Sequence, residues 1–252
     1  MPGLDHAIAG LASGHTVLVV LAVALLLGLR HASDPDHLAA VSTLIASRPE
    51  DGTRQAGRLG IAWGLGHGTT LMAFGLPIVL FDSYLPAHVQ QAAEFAVGLV
   101  IIGLAVRLLV GWRRGRYHAH PHQHGGLEHR HLHPHGHNAR HDHSHDTAPL
   151  LGRSPRQAYA IGMVHGMGGS AGVGILLLAG IPDRAEAAAA LGLFALAAAA
   201  SMATLSSGFG YALTRGPVVR RMLALAPVLG GLTLLFGIWY ALGALSATPY
   251  PL

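Results

Sequence analysis

The chain of 252 residues has no cysteine and no lysine, and only 11% of its residues are charged. Without cysteine there are no disulfides, iron–sulfur ligands or thiolate metal sites. Any transition-metal site must therefore use histidine, carboxylate, methionine or backbone oxygen. Without lysine there is no G-x-x-x-x-G-K-[ST] loop, so the chain carries no ATPase of its own. The H-E-x-x-H pattern of a membrane zinc protease is also missing. A soluble domain carries about 25% charge. Low charge with 51% hydrophobic residues and a mean hydropathy of +0.44 argues against a soluble enzyme, a nucleic-acid-binding domain and a disordered regulator. The expected surroundings are a lipid bilayer. The pI near 10.0 rests on arginine alone, and the placement of those arginines decides its meaning.

What is present is a series of long apolar runs. A helix needs about 20 such residues to cross a bilayer. Six stretches qualify: Thr16–Ala46, Leu59–Phe81, Gln90–Trp112, Ala158–Gly180, Ala185–Leu213 and Met222–Leu245. No charged region precedes the first, which reads as a span rather than a cleaved signal. Arg48, Arg54 and Arg58 follow the first stretch, whereas the segment near Asp82–Val89 has no arginine. Arg113, Arg114, Arg116, Arg130, Arg140, Arg153 and Arg156 crowd the long connection. The next connection has only Arg184, and Arg215, Arg220 and Arg221 mark the last. Basic and non-basic connections alternate, so the positive-inside rule puts both termini outside and the long connection in the cytoplasm. The expected fold is all-α and polytopic, with about six transmembrane helices in the cytoplasmic (inner) membrane.

The first stretch is too long for one straight span, at about 46 Å against a core of about 30 Å. Its middle reads Gly28-Leu29-Arg30-His31-Ala32-Ser33-Asp34-Pro35-Asp36-His37-Leu38. Pro35 removes a backbone donor and clashes with the His31 carbonyl. Asp34, preceding proline, is pushed out of the helical region. A break near Ser33 is expected, with Asp34 as N-cap and Pro35 opening a second half-helix. Ionisable groups at such depth mark function by default. On a regular helix Asp36 and His37 would lie roughly 140° and 240° around the axis from His31. Only the break lets the three converge. Imidazole with carboxylate suits Ni, Co, Zn or Fe(II) better than Ca or Mg. The bland alternative is a capped kink in which Asp34 pairs with Arg30.

The second stretch contains Gly60-Ile61-Ala62-Trp63-Gly64-Leu65-Gly66-His67-Gly68-Thr69-Thr70. Gly60, Gly64 and Gly68 form a small-residue stripe that permits close helix approach. His67 beside it is expected to lie near another helix, the first being the candidate, as a metal ligand or as a structural hydrogen-bonding residue. The fourth stretch contains Gly162-Met163-Val164-His165-Gly166-Met167-Gly168-Gly169-Ser170-Ala171-Gly172 and is interrupted much as the first is. Spans one and four open two halves of three spans each, which must be inverted relative to one another. Interrupted helices at corresponding positions of inverted halves point to a transport site near the midplane. His165 is a candidate ligand or gate, or else packs at a small-residue kink. Gly168-Gly169-Ser170-Ala171-Gly172 also fits G-x-S-x-G, which leaves an intramembrane serine protease as a remote alternative. That pattern needs a strand-to-helix turn, which a membrane span does not supply.

Between the halves, residues 118–145 contain twelve histidines among Pro, Gly, Asn, Arg and Asp. No periodicity supports a core, so a disordered loop is expected. Dense neutral imidazoles bind Ni, Cu, Zn or Co with little selectivity. The tract could capture, buffer or sense metal, or be a linker whose metal binding is incidental. The organisation expected is a first membrane half at 1–112, a cytoplasmic His-rich loop at 113–157 and a second membrane half at 158–252.

Gly28-Leu29-Arg30-His31-Ala32-Ser33-Asp34-Pro35-Asp36-His37 resembles the H-x4-D-H signature of the nickel/cobalt transporter (NiCoT, NicO) family, with His31, Asp36 and His37 at the signature positions. Leu65-Gly66-His67-Gly68-Thr69 is similar to that family's second motif. The larger importers of the family have eight spans and an Asp-Thr-Ala-Thr-Glu-type motif, in whose place the His165–Gly172 segment stands. The short chain is more similar to the UreH-like branch associated with urease or nickel superoxide dismutase supply. The His-rich loop is similar to the efflux branch, although that branch has Pro-Gly-His where this chain has Pro35-Asp36-His37.

The resemblance implies a permease, not an enzyme, with Ni²⁺ or Co²⁺ as transported substrate and no prosthetic group. The candidate metal residues are His31, Asp34, Asp36, His37, His67 and His165, and uptake is the expected direction. A cytoplasmic metallochaperone is a candidate partner, and the oligomeric state is open. Efflux through the same site and a metal sensor acting through the loop are the competing readings.

Overall fold

The computed structural model describes residues 17–46, 52–81, 86–114, 118–124, 127–133, 154–168, 175, 180–214 and 216–249. Helices dominate, as runs of Ala and Leu in an apolar chain dictate. They are α1 (Val17–His31), α2 (Pro35–Ala46), α3 (Gly52–Phe81), α4 (Ala87–Arg113), α5 (Pro155–His165), α6 (Arg184–Thr214) and α7 (Gly216–Ala244). The fold is a polytopic helical membrane protein. Among the described residues α3, α4, α6 and α7 are each long and apolar enough to cross a bilayer, and α1 with α2 passes the same test only as a bent pair, the form of a broken span or a re-entrant loop. Six spans were expected. The described part of the fourth stretch is α5 alone, and most of 169–179 lies outside the described residues. Large apolar side chains such as Leu26, Ile61, Leu65, Leu196, Leu232 and Leu235 stand exposed around the bundle. Acyl chains cover such a surface at no hydrophobic cost.

Local chemistry sets the helix starts. The Ser154 hydroxyl accepts from the Gln157 amide and the Gln157 side chain accepts from the Ser154 amide, a capping box with Pro155 in the first turn of α5. At α6, one carboxylate oxygen of Asp183 accepts from the amides of Ala185 and Glu186. Between α4 and α5, two strands, β1 (His118–His124) and β2 (Leu127–His133), pair antiparallel. Their register sets His118 opposite His133, His120 opposite His131 and His122 opposite His129. A histidine at alternate positions matches the two-residue strand period, whereas the tract was expected to be irregular. Residues 134–153 lie outside the described residues.

Small residues decide which helices meet. The Gly60–Gly64–Gly68 stripe of α3 packs on α6: Gly60 on Ser206 and Ala203, Gly64 on Ala199, Gly68 on Ala195. The two helices are antiparallel, since rising numbers in one meet falling numbers in the other. α4 and α7 are antiparallel too, with Gly98 on Ala241 and Gly237 on Ile101 and Ile102. α5 runs parallel to α3: Gly162 abuts Trp63 and His67, and Gly166 abuts His67. The remaining close pair is α1 on α6, where Gly28 abuts the Phe194 carbonyl, Ala197 and the Ala198 amide. Exchanging the halves maps α1 onto α5, α3 onto α6 and α4 onto α7, and it maps this set of contacts onto itself. Gly28 and Gly162 each precede by three positions the histidine that ends its helix, His31 and His165. In this correspondence Trp63 answers to Phe194 and His67 to Ala198. The packing is that of two inverted halves.

Candidate metal centre

The break in the first span carries the site. α1 ends at His31, α2 starts at Pro35, and their axes are bent by 48°. Backbone bonds from Ser33 and Asp34 to the Arg30 and His31 carbonyls close the turn, and the Ser33 hydroxyl donates to the Arg30 carbonyl at 2.6 Å. Leu38 then bonds back to the Asp34 carbonyl and opens α2. The turn reverses the angular separation that a straight helix would impose. His31 and His37 become neighbours, with ring centroids 4.5 Å apart.

His67 comes to this pair from α3. Its Nε2 lies 2.9 Å from His31 Nε2. Two nitrogens about 2.05 Å from one ion and at right angles to each other are separated by about the same distance. His165 comes from α5 in the other half. Its Nε2 donates to Asp36 Oδ2 at 3.1 Å, and its ring lies 4.4 Å from that of His37. The Asp36 carboxylate is fully buried and accepts twice, from His165 and, through Oδ1 at 3.0 Å, from His37 Nδ1. A proton held on His37 Nδ1 leaves Nε2 with its lone pair outward, the arrangement by which a carboxylate orients a metal-binding imidazole. His37 Nε2, His67 Nδ1 and His165 Nδ1 are buried and make no hydrogen bond among the described residues. Buried polar atoms left this way call for an explanation such as an ion.

Among the described residues, two triads have ligand atoms close enough to hold one cation: His31, His37 and His67, and Asp36, His37 and His165. Their members are all buried. Five of the six candidate residues thus meet at one place. Asp34 stands beside them. Its carboxylate pairs with Arg30 at 3.2 Å and faces His31 Nδ1 at 3.4 Å, and it belongs to neither triad. The Arg30–Asp34 kink pairing and a His/Asp cluster that could hold a cation are both present.

His67 lies against the first span, where it was expected, whereas the glycine stripe beside it faces another helix. The stripe packs on α6, and His67 is pressed from behind by Gly162 and Gly166 of α5 while its imidazole reaches His31. The sequence reading also missed the aromatic walls. The Trp63 ring lies 5.6 Å from those of His37 and His165, and Phe194 lies 5.3 Å from His31. Glu94 of α4 was missed as well. It is buried in a span, accepts from Gln90 at 2.9 Å, and its backbone abuts Gly168 beyond the end of α5. An ionisable residue inside the third stretch was the signal that could have found it. Ser170, on which the protease alternative rests, lies outside the described residues.

Comparison with known proteins follows the same lines. The family model described as NicO, High-affinity nickel-transport protein, matches residues 17–213. The chain is 25% identical over 225 residues to the urease accessory protein UreH of Bacillus sp. (strain TB-90), covering 89% of this chain and 91% of the relative. No solved structure matches.

Proposed function

The chain belongs to the NicO family of high-affinity nickel-transport proteins and is a metal-ion transporter rather than an enzyme, and we propose that it brings Ni²⁺ into the cell through the buried His/Asp cluster at the break of the first span. The observation that carries this reading is the convergence of four imidazoles and one carboxylate from α1, α2, α3 and α5 in a bundle whose buried side chains are mostly apolar. Water stripped from the ion is replaced by these groups. His31, His37, His67 and His165 supply nitrogen, and Asp36 supplies charge and fixes the His37 ring. Asp34 adds negative charge and holds Arg30 away from the ion. Co²⁺ fits the same donors and is the expected second substrate.

Uptake needs no coupled ion in principle. A membrane potential of 100 mV, negative inside, favours inward movement of a divalent cation by about 4.6 kcal/mol, twice the value for a single charge. Export would need an added driving force. The relative's name places it with urease, and supplying nickel to such an enzyme calls for import. In this reading the protein lies in the cytoplasmic membrane, with membrane halves at 1–112 and 158–252. The His-rich segment at 113–157 lies in the cytoplasm, beside any metallochaperone that receives the ion.

The test is accumulation of radioactive nickel in cells expressing the protein or its His37→Ala variant at matched membrane levels. Import gives accumulation above the variant, and competition by cobalt and zinc then ranks the ions. Accumulation below the variant would mean efflux. Equal accumulation would refute the nickel site.

A further inference from the structure

His37 is common to both triads, whereas His31 with His67 and Asp36 with His165 divide between them. The His37 ring centroid lies 4.5 Å from that of His31 and 4.4 Å from that of His165. One ion at about 2 Å from its ligands keeps them all within about 4 Å of one another. The two sets mark two places at which an ion could sit. Each has its own close-set pair of residues, His31 with His67 at 2.9 Å and His165 with Asp36 at 3.1 Å, and the ion would take the place of the proton shared within the pair.

The two positions are not filled together. Asp36 Oδ1 accepts from His37 Nδ1, so a neutral His37 has one lone pair to offer, on Nε2. Two dications so close also repel four times as strongly as two monovalent ions would. His31 and His165 are the corresponding last residues of α1 and α5, which the exchange of halves interchanges. α3 returns across the bundle only five residues after α2 ends, and α5 runs parallel to α3. The half-helices ending at His31 and His165 thus come in from opposite faces.

We infer that the cation occupies two successive positions, first one triad and then the other, and that His37 is the ligand that hands it across. His31 and His165 are then face-specific ligands, and the inverted halves supply one each. This inference rests on the nickel-transport reading and adds a second site to it.

The experiment uses the full chain in lipid nanodiscs and Ni²⁺ itself. Nickel binding is measured at equilibrium, and nickel-edge X-ray absorption counts imidazole ligands, for wild type, His31→Ala, His165→Ala and His37→Ala. Melting temperature in the absence of metal verifies folding, and His31→Asn and His165→Asn replace any alanine variant that fails to fold. Wild type is expected to bind one nickel. His31→Ala should keep one nickel on two imidazoles and a carboxylate, and His165→Ala one nickel on three imidazoles, both without transport. His37→Ala should lose binding at both positions. Two nickels bound at once in wild type, loss of binding in both single variants, or the same ligand set in both would overturn the inference while leaving nickel transport intact. Absence of nickel accumulation by wild type in cells would instead remove the reading beneath it.

Discussion

His31 and His67 meet Nε2 to Nε2 at 2.9 Å, although one ends a half-helix and the other sits in mid-helix on a neighbouring span. Only one proton can lie between them, so at least one lone pair is turned toward the other ring. His67→Ala is expected to cut the initial rate of nickel uptake by at least 10–100-fold, the range seen even for residues that only support a ligand. Uptake at matched expression measures it, and an unchanged rate would take His67 out of the path.

Asp36 accepts from two imidazoles with nothing else to neutralise it inside its hydrogen-bonded triad. Asp36→Asn keeps the shape, removes the charge and turns an N–H toward one of those rings. Uptake should fall at least 100-fold, and the buried mismatch should cost about 1–3 kcal/mol. A lowered melting temperature in detergent together with lost uptake is the expected pair of results.

Asp34 offers the contrasting case. Its carboxylate pairs with Arg30, whose side chain is 19% exposed, and lies outside both triads. Asp34→Asn should therefore reduce uptake less than Asp36→Asn does. Equal losses in the two variants would make Asp34 a ligand.

Gly162 carries a packing prediction. A methyl group there would run into the Trp63 carbonyl and the His67 amide. Gly162→Ala should destabilise by about 1–3 kcal/mol through overpacking and should slow uptake by moving His67. At Gly103 a methyl group meets nothing within 4 Å. Gly103→Ala should gain about 0.5–1 kcal/mol, because glycine in a helix interior is destabilising. Thermal melts of the two variants should move in opposite directions.

Deleting residues 118–145 should alter the apparent nickel affinity and leave transport measurable. The concentration dependence of uptake checks this, and complete loss from a stably inserted protein would give the tract a direct part in permeation.

The break at Pro35 and the gathering of polar residues around it were legible because proline and charged residues are rare in apolar spans, so each occurrence carries information. His31, Asp36 and His37 could be named from that alone. The partner of a small-residue stripe could not. Gly60, Gly64 and Gly68 announce a close neighbour, but α6 offers Ala195, Ala199 and Ala203, residues indistinguishable by type from many others in an alanine-rich chain. Trp63 and Phe194 were silent for a related reason: an aromatic ring in a span looks like any other apolar residue until its neighbours are known. The pairing of His165 with Asp36 depends on how two inverted halves dock, and no local pattern encodes that.

The correspondence of His67 with Ala198 has an energetic consequence. Two identical inverted halves would make the two conformations related by exchanging the halves degenerate, with neither preferred at rest. Here one half donates His31, Asp36, His37 and His67, and the other donates His165. The degeneracy is lifted, and a difference of about 1.4 kcal/mol already populates one conformation tenfold over the other. In the proposed transporter, the resting posture thus follows from the unequal sharing of these side chains between the halves.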